Sequence, residues 1–358
     1  MKVCIIGDGL SSITLAKALT NENIYVDIFS QKKKNSLNKS RTIGISKSNV
    51  EFFNTNIVNI DKIIWKLKNI ELYSENLKNE KILKFKSKKD QLFSIIRNYQ
   101  LYEILENKLL KNKYFKKKNL KVTSSMKKIY DILINTDYNN SFTKKYFNKK
   151  IIKKYNSLAY TTIIKHKKTL NNTAIQIFTK YGPLAFLPIS DNETSIVYSF
   201  NNKYNLAKPN IEKLIRNYNF KYKIFKVQKI HSFELKSAIL RSYYQSNVLA
   251  FGDLLHRIHP LAGQGFNMTI RDIKVFLGII KKQKSLGLPL DSSVSKEFEK
   301  EIKHKNIIFS SGIDLIYEFF NFERKTQNNI ISKTVKFLGK NSIVNDMFTK
   351  IADRGVIL

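Results

Sequence analysis

Residues 252–273, Gly-Asp-Leu-Leu-His-Arg-Ile-His-Pro-Leu-Ala-Gly-Gln-Gly-Phe-Asn-Met-Thr-Ile-Arg-Asp-Ile, constrain this protein more than any other stretch. An apolar run, Asn247 to Phe251, reads as a strand and ends at Gly252-Asp253. A loop from Pro260 to Gly265 then leads into a helix expected to begin near Phe266. An acid at a strand's carboxyl end, followed by glycines at a helix start, can hold a polar cofactor. The helix end offers free N–H donors and a partial positive charge. Gly263 and Gly265 flank the amide of Gln264, and without Cβ atoms they let the backbone come close to a ligand.

The N-terminus points the same way. Lys2 to Ile6 reads as a buried strand, Gly7-Asp8-Gly9 as a tight turn, and Ile13, Leu15, Ala16 and Leu19 as an apolar helix face. Ile24 to Phe29 follows as a second strand. This is the pattern of a dinucleotide-binding βαβ unit, in which Gly7 makes the turn and Gly9 admits a pyrophosphate. Ser12 stands where the third glycine of G-x-G-x-x-G is expected, and is small enough for close helix–strand packing. The ribose-binding acid at the end of the second strand is replaced by Ser30, with Gln31 and Lys32 after it. A hydroxyl can bond a ribose but without the charge-assisted strength of a carboxylate. Taken alone, the unit is equally a bare Rossmann-like fold.

Residues 252–272 resemble the second flavin-binding motif of the class A flavoprotein monooxygenases, and most closely the ubiquinone-biosynthesis hydroxylase branch, G-D-A-A-H-x-x-H/N-P-x-A-G-Q-G-x-N-x-x-x-x-D. Three further segments resemble the family. Arg41 to Ser46 matches R-x-x-x-L-S, Ile96 to Leu101 (with Arg97) matches the helix start V-x-x-x-x-L, and Gly182 to Pro188 is close to G-P-x-A-x-L-P. The mid-sequence A-D-G-x-x-S-x-x-R is eroded: Asp137 and Ser141 remain, while its glycine is Tyr138 and its arginine Lys144. Lysine does not replace arginine at a bidentate site, so reduction by a nicotinamide is the step this departure bears on.

The resemblance implies an α/β fold in which a Rossmann-like FAD-binding domain (1–65, 92–150 and 240–285) interleaves with a substrate domain (66–91 and 151–239). The substrate domain is expected to be a mainly antiparallel sheet, and residues 286–358 a C-terminal helical region. It implies FAD as cofactor and NAD(P)H as reductant. The implied FAD contacts are Gly7, Gly9, Ser12, Ser30, Arg41, Arg97, Asp137, Gly252, Asp253, Pro260, Gly263, Gln264, Gly265, Phe266 and Asn267. Asp253 would bind the ribityl group or its neighbouring phosphate oxygens. Pro260 would shape the turn against the isoalloxazine, and backbone N–H groups from Gly265 to Asn267 would stabilise charge on the reduced ring. His259 is a candidate for deprotonating a phenolic substrate, with a structural hydrogen bond as the alternative. The implied activity is hydroxylation of the ring of a polyprenylated ubiquinone precursor through a flavin C4a-hydroperoxide. Two other readings stay open: hydroxylation of a small soluble aromatic, and a catalytically silent flavin-binding component of a quinone-biosynthesis complex.

The chain has 358 residues, room for two domains and a large core. Its single cysteine, Cys4, excludes an intramolecular disulfide and is expected to be buried and inert. No secretory signal is evident, since Gly7, Asp8 and Gly9 interrupt the apolar start. No apolar run approaches the ~18 residues that span a bilayer. His256 and His259 are the only histidines close together and are too few for a zinc site, so no metal is expected.

Lys and Arg total 64 against 28 Asp and Glu, a net charge of +36. Such a surface fits attraction to anionic lipid. It fits better a compositional drift that scatters lysine throughout the sequence among Asn, Ile, Phe and Tyr. Nucleic-acid recognition is not expected, because the aromatics follow apolar patterns and no basic reader motif appears. The expected location is cytoplasmic, peripheral on the inner membrane face, with a prenylated aromatic, the membrane surface or a quinone-biosynthesis complex as partners. Beyond residue 286, Ile313, Ile316, Tyr317 and Phe320 form an i, i+3, i+4, i+7 stripe. It reads as a face docked on the body of the protein, or as a membrane-facing entrance.

Overall fold

A computed structural model of the protein describes residues 1–30, 39–77, 80–86, 91–120, 123, 126, 128–201, 209–259, 263–326, 330–341, 346, 349–351 and 353–354. β1 (Lys2–Ile6) is almost wholly apolar and buried on both faces, as a strand in the middle of a parallel sheet must be. It pairs in parallel with β2 (Tyr25–Phe29) on one side and β9 (Ile132–Asn135) on the other. β8 (Phe115–Lys118), β17 (Val248–Ala250) and the short β16 (Tyr244–Gln245) complete a six-stranded sheet in the order β16-β17-β9-β1-β2-β8. The lysines of Phe115–Lys118 thus lie on an edge strand, where charge hinders pairing with another molecule.

Helices α1 (Leu10–Asn21) and α3 (Asn98–Leu110) cover this sheet together with α6 (Gln264–Ser285). The first large core lies between them, built on Ile5, Leu15, Ile28, Leu105, Ile134, Leu249 and Ile273. A nine-stranded sheet forms the second layer, ordered β18-β15-β10-β13-β12-β11-β5-β6 with β14 beside β10. Its strands are β5 (Asn69–Ser74), β6 (Glu80–Lys86), β10 (Lys150–His166), β11 (Thr173–Thr179), β12 (Gly182–Pro188), β13 (Glu193–Asn201), β14 (Ile224–Val227), β15 (His231–Leu240) and β18 (His256–Arg257). All of its pairings are antiparallel except β5 with β11. The 17-residue β10 is long enough to pair with β15 along its first half and with β13 along its second.

A small sheet of β3 (Thr42–Ser46), β7 (Phe93–Arg97) and β4 (Ile64–Leu67) stands beside the two larger ones. α2 (Lys47–Asn56) follows β3 directly, and the short α4 (Ser141–Tyr146) and α5 (Ile211–Tyr218) lie after β9 and β13. The C-terminal part is helical, as its sequence periodicity predicts. α7 (Ser292–Thr326) runs for 35 residues and packs on α6, and α8 (Ile330–Lys340) packs on β6. Ile313, Tyr317 and Phe320 of the predicted stripe are buried, whereas Ile316 is exposed. The docked face is therefore narrower than the sequence stripe.

Candidate functional site

The turn after β1 is tied down from below. Gly7 has φ of +106°, and its N–H donates to the carbonyl of Phe29 at 2.8 Å. A Cβ there would lie 2.5 Å from Thr136 Oγ1, so both the backbone angle and the space require glycine. The hydroxyls of Ser12 and Thr136 share a 2.7 Å hydrogen bond, and Thr136 donates to the carbonyl of Ile6 at 2.9 Å. Ser12 thus fills the third glycine position and also pins α1 to the strand end. Gly9 caps α1 without a side-chain hydrogen bond, and a Cβ built on it would meet nothing within 4 Å. The first turn of α1 carries no acidic residue, so the helix brings no anion of its own to its N-terminal N–H groups and partial positive charge.

The second motif meets this helix start from far along the sequence. Phe251 at the end of β17 donates its N–H to the carbonyl of Asn135 on β9 at 2.9 Å. Gly252 then turns at φ of +62°, so close to α1 that a Cβ would lie 2.7 Å from the Cβ of Ser11. Asp253 follows in a 3-10 turn with its side chain exposed beside α1. The acid and the helix N-terminus, separated by some 240 residues in sequence, are brought together by the parallel pairing of β17, β9 and β1.

α6 begins at Gln264, two residues before the predicted start, capped by Gly263 in the left-handed region at φ of +63°. In this register the uncommitted N–H groups fall on Gln264, Gly265 and Phe266, while that of Asn267 is the first able to bond within the helix. The Asn267 side chain is fully buried and belongs to the protein. It donates to the carbonyls of Gly44 (3.0 Å) and Gly263 (3.3 Å), and its oxygen accepts from Ser46 N (2.9 Å) and Asn49 Nδ2 (2.8 Å). It clamps β3 and α2 to the start of α6. Gln264 is also buried, with its oxygen accepting from Arg271 at 3.3 Å. Phe266 packs part-buried against the first core, and Gly265 is partly exposed.

Other predicted positions have local partners. Asp137 accepts from the N–H of Asn139 at 3.0 Å and shapes the turn before α4, close beneath Gly7. The Tyr138 that replaces the motif's glycine carries Lys150 over its ring at 3.7 Å, and Lys144 is exposed. Arg41 is exposed at the start of β3, and its carbonyl accepts from Asn98 N at 3.0 Å. Arg97, opposite Thr42 in the small sheet, is paired with Glu193 of β13 and so bridges to the nine-stranded sheet. Ser30 is buried, with its N–H donating to the carbonyl of Lys118 at 3.1 Å. The acid actually present on β2 is Asp27. It lies mid-strand, bonded by Tyr130 (2.5 Å) and Lys118 (2.8 Å), and burial opposes its charge while these donors hold its pKa below the ordinary value. Pro260 lies outside the described residues.

The two histidines of the motif differ. His259 is buried between the rings of Tyr155 on β10 and Tyr317 on α7, at centroid distances of 4.9 and 4.4 Å. Tyr155 donates its hydroxyl to Asp314. His256 is buried with Nε2 2.5 Å from Asp272 Oδ2, and Asn306 of α7 donates to the other carboxylate oxygen at 3.1 Å. Burial lowers the His256 pKa, but the charge and hydrogen bond of Asp272 more than offset it, so the net shift is upward. Asp272 shares the inward face of α6 with Gln264 and Met268 at helical spacing, a legible signal; its partners on β18 and α7 are not legible from spacing. Among the described residues no group of His, Cys, Asp and Glu could hold a metal.

The sequence model of the FAD binding domain matches residues 202–279. The chain is 30% identical over 154 residues to the 3-demethoxyubiquinol 3-hydroxylase of Escherichia coli (strain K12), covering 41% of its own length and 39% of that protein. It is 25% identical over 206 residues to the human mitochondrial ubiquinone biosynthesis monooxygenase COQ6, covering 46% and 44%. The sequence therefore resembles the class A flavoprotein monooxygenases, and ubiquinone-biosynthesis hydroxylases among them. Its matched regions span only about two fifths of the length of these curated relatives. The fold likeness extends over the full length. The p-nitrophenol 4-monooxygenase PnpA of Pseudomonas putida DLL-E4 has a TM-score of 0.76 at 13% identity, covering 99% of the present sequence and 98% of PnpA. Klebsiella pneumoniae HpxO complexed with FAD and uric acid has a TM-score of 0.74 at 12% identity, covering 99% and 97%.

Proposed function

We propose that this protein is an FAD-dependent hydroxylase acting on the aromatic ring of a polyprenylated ubiquinone precursor, with dioxygen as oxygen source and NAD(P)H as reductant. The observation that carries the proposal is the meeting of Gly252-Asp253 with the open N-terminus of α1. The residues present fit the cofactor. A Cβ at Gly9 would meet nothing within 4 Å, which leaves room where a pyrophosphate needs space and N–H donors. The capped but acid-free start of α6 suits the electron-rich edge of a reduced ring. FAD, when bound, supplies the reduction of dioxygen and the oxygen transfer.

The protein's own residues bind and orient. Gly7, Gly9 and Ser12 would keep the α1 start clear, and Asp253 would accept from ribityl hydroxyls, a role its exposure beside α1 supports. Gln264 and Asn267 act through the fold, holding α6 rather than touching the ring with their side chains. Arg41 and Arg97 stand at the junction of the small sheet with the substrate layer. Ser30 leaves the adenosine ribose with a hydroxyl partner in place of a carboxylate. The ubiquinone relatives favour a prenylated ring. The small-aromatic reading is favoured by one observation, that neighbours similar over the whole fold include an enzyme solved with uric acid.

The test is an absorbance spectrum of the purified protein, followed on anaerobic addition of NADPH or NADH, then air, then a prenylated phenol. Flavin bands that bleach, recover, and yield an oxygenated prenyl product support the proposal. Product from soluble phenols alone transfers it to a small aromatic. A flavin that neither nicotinamide bleaches points to a silent or partner-reduced component, and a protein that cannot take up FAD rejects the reading.

A further inference from the structure

α7 has two apolar faces. The inner one, with Phe309, Ile313, Tyr317 and Phe320, is buried against the body. On the opposite side Ile308, Leu315, Phe319 and Phe322 are spaced by seven, four and three residues, which aligns them along one line of a helix. All four are exposed, by 45% to 61%. The line runs for about 21 Å at the helical rise. Isolated exposed apolar residues are ordinary, but an aligned series of this kind marks a contact surface.

The N-terminal half of α7 carries Lys296, Lys300, Lys303 and Lys305 on its flank, with Glu297, Glu299 and Glu301 among them. Lys296, Lys300, Lys303 and His304 line an open groove of about 520 Å3 together with Tyr244 and Ile307. Within it Glu299 is paired with Lys303 at 2.6 Å, and nearby Glu297 with Lys282 at 3.2 Å, which leaves Lys296, Lys300 and Lys305 against Glu301. The whole protein carries +36. A second copy would bring the same charge and the same groove, so self-association works against repulsion. A helix with a lysine-bearing half and an exposed apolar half, on a strongly cationic protein, is complementary to anionic lipid, where apolar side groups enter the acyl boundary and lysines reach headgroups.

We propose that the outer face of α7 docks the protein on an anionic phospholipid surface, with Leu315, Phe319 and Phe322 entering the lipid and Lys296 and Lys300 contacting headgroups. No described helix is long and apolar enough to cross a membrane, and this contact needs none. The inner face of the same turns holds Tyr317 against His259 of the flavin motif, so docking brings that loop near the lipid. The inference stands apart from the hydroxylase reading, because it concerns binding without substrate or turnover.

The test is co-sedimentation of the full-length protein with vesicles of phosphatidylcholine alone and of phosphatidylcholine mixed with phosphatidylglycerol. Wild type is expected on the mixed vesicles only, with binding that falls as salt rises. Leu315→Ser/Phe319→Ser/Phe322→Ser should weaken it at least ~10-fold. Lys296→Gln/Lys300→Gln should weaken it and flatten the salt dependence. Should the triple variant fold poorly, Phe319→Trp in a Trp65→Phe background gives a second reading, a blue-shifted emission on mixed vesicles. Wild type that stays in solution, a triple variant that binds unchanged, or an indole emission of the Phe319→Trp variant unmoved by vesicles overturns the proposal. A dimer in sedimentation velocity that the triple variant abolishes assigns the face to a second copy instead.

Discussion

Gly252→Ala is the sharpest perturbation of the junction between the two flavin motifs. Two costs follow from the geometry. Holding alanine at φ of +62° costs about 1–2 kcal/mol. The new methyl would lie 2.7 Å from the Cβ of Ser11, an atom no rotation can move away, and such overpacking costs about 1–3 kcal/mol. The sum is about 2–5 kcal/mol. With an unfolding entropy of roughly 2.1 cal/mol/K per residue over 358 residues, this lowers Tm by about 3–7 °C. The companion variant Ser11→Gly removes the opposing Cβ and costs about 0.5 kcal/mol in helix propensity. If the contact is as described, the double variant loses about 1–3 kcal/mol less than the two single losses added together, while the left-handed strain persists. Thermal unfolding of all four proteins, with FAD titration by flavin fluorescence in parallel, measures both. Single-variant losses that add to within ~0.5 kcal/mol would refute the argument, since independent sites behave that way.

Three further outcomes can be checked. Asn267→Ala takes this partner from the buried Ser46 N–H and Gly44 carbonyl and leaves the Asn49 amide only the carbonyl of residue 267 at 3.3 Å, and should cost about 2–5 kcal/mol in urea unfolding; a loss under ~1 kcal/mol would show that these groups find other partners. His256 has a raised pKa in the folded state, so its charged pairing with Asp272 stabilises fully below the unfolded value of about 6.5 and is lost as pH rises through the folded value. Unfolding measured from pH 6 upward should show the advantage of wild type over Asp272→Asn shrinking as pH rises, and a constant difference would contradict the upward shift. Cys4 is buried, and desolvation with help from the nearby Asp27 pushes its thiol up to about 12. Ellman's reagent at pH 8 should therefore find no thiol in the native protein and one in denaturant.

Much of the site was legible because it is built from local chemistry. Gly7 and Gly252 are demanded by positive φ and close approaches that glycine alone permits, and apolar spacing announces β1 and α1. The parallel apolar strand, glycine turn and helix also fixed the nucleotide-binding layer. Polar side groups were harder to read. Asn267 and Gln264 look like ligand contacts in a motif, yet their hydrogen bonds run to β3, α2 and Arg271. Arg97 looks free in sequence, and pairs with Glu193, 96 residues away.

The sequence by itself determined the element types, the glycine-dependent turns and the lack of an apolar run long enough to span a bilayer. Those follow from dihedral freedom and apolar spacing, which act within a few residues. Only the tertiary structure decided that Gly252 abuts Ser11, that Asp272 meets His256 and Asn306, and which side of α7 faces outward. These depend on strand order and helix rotation, which are set by how distant apolar faces are buried together.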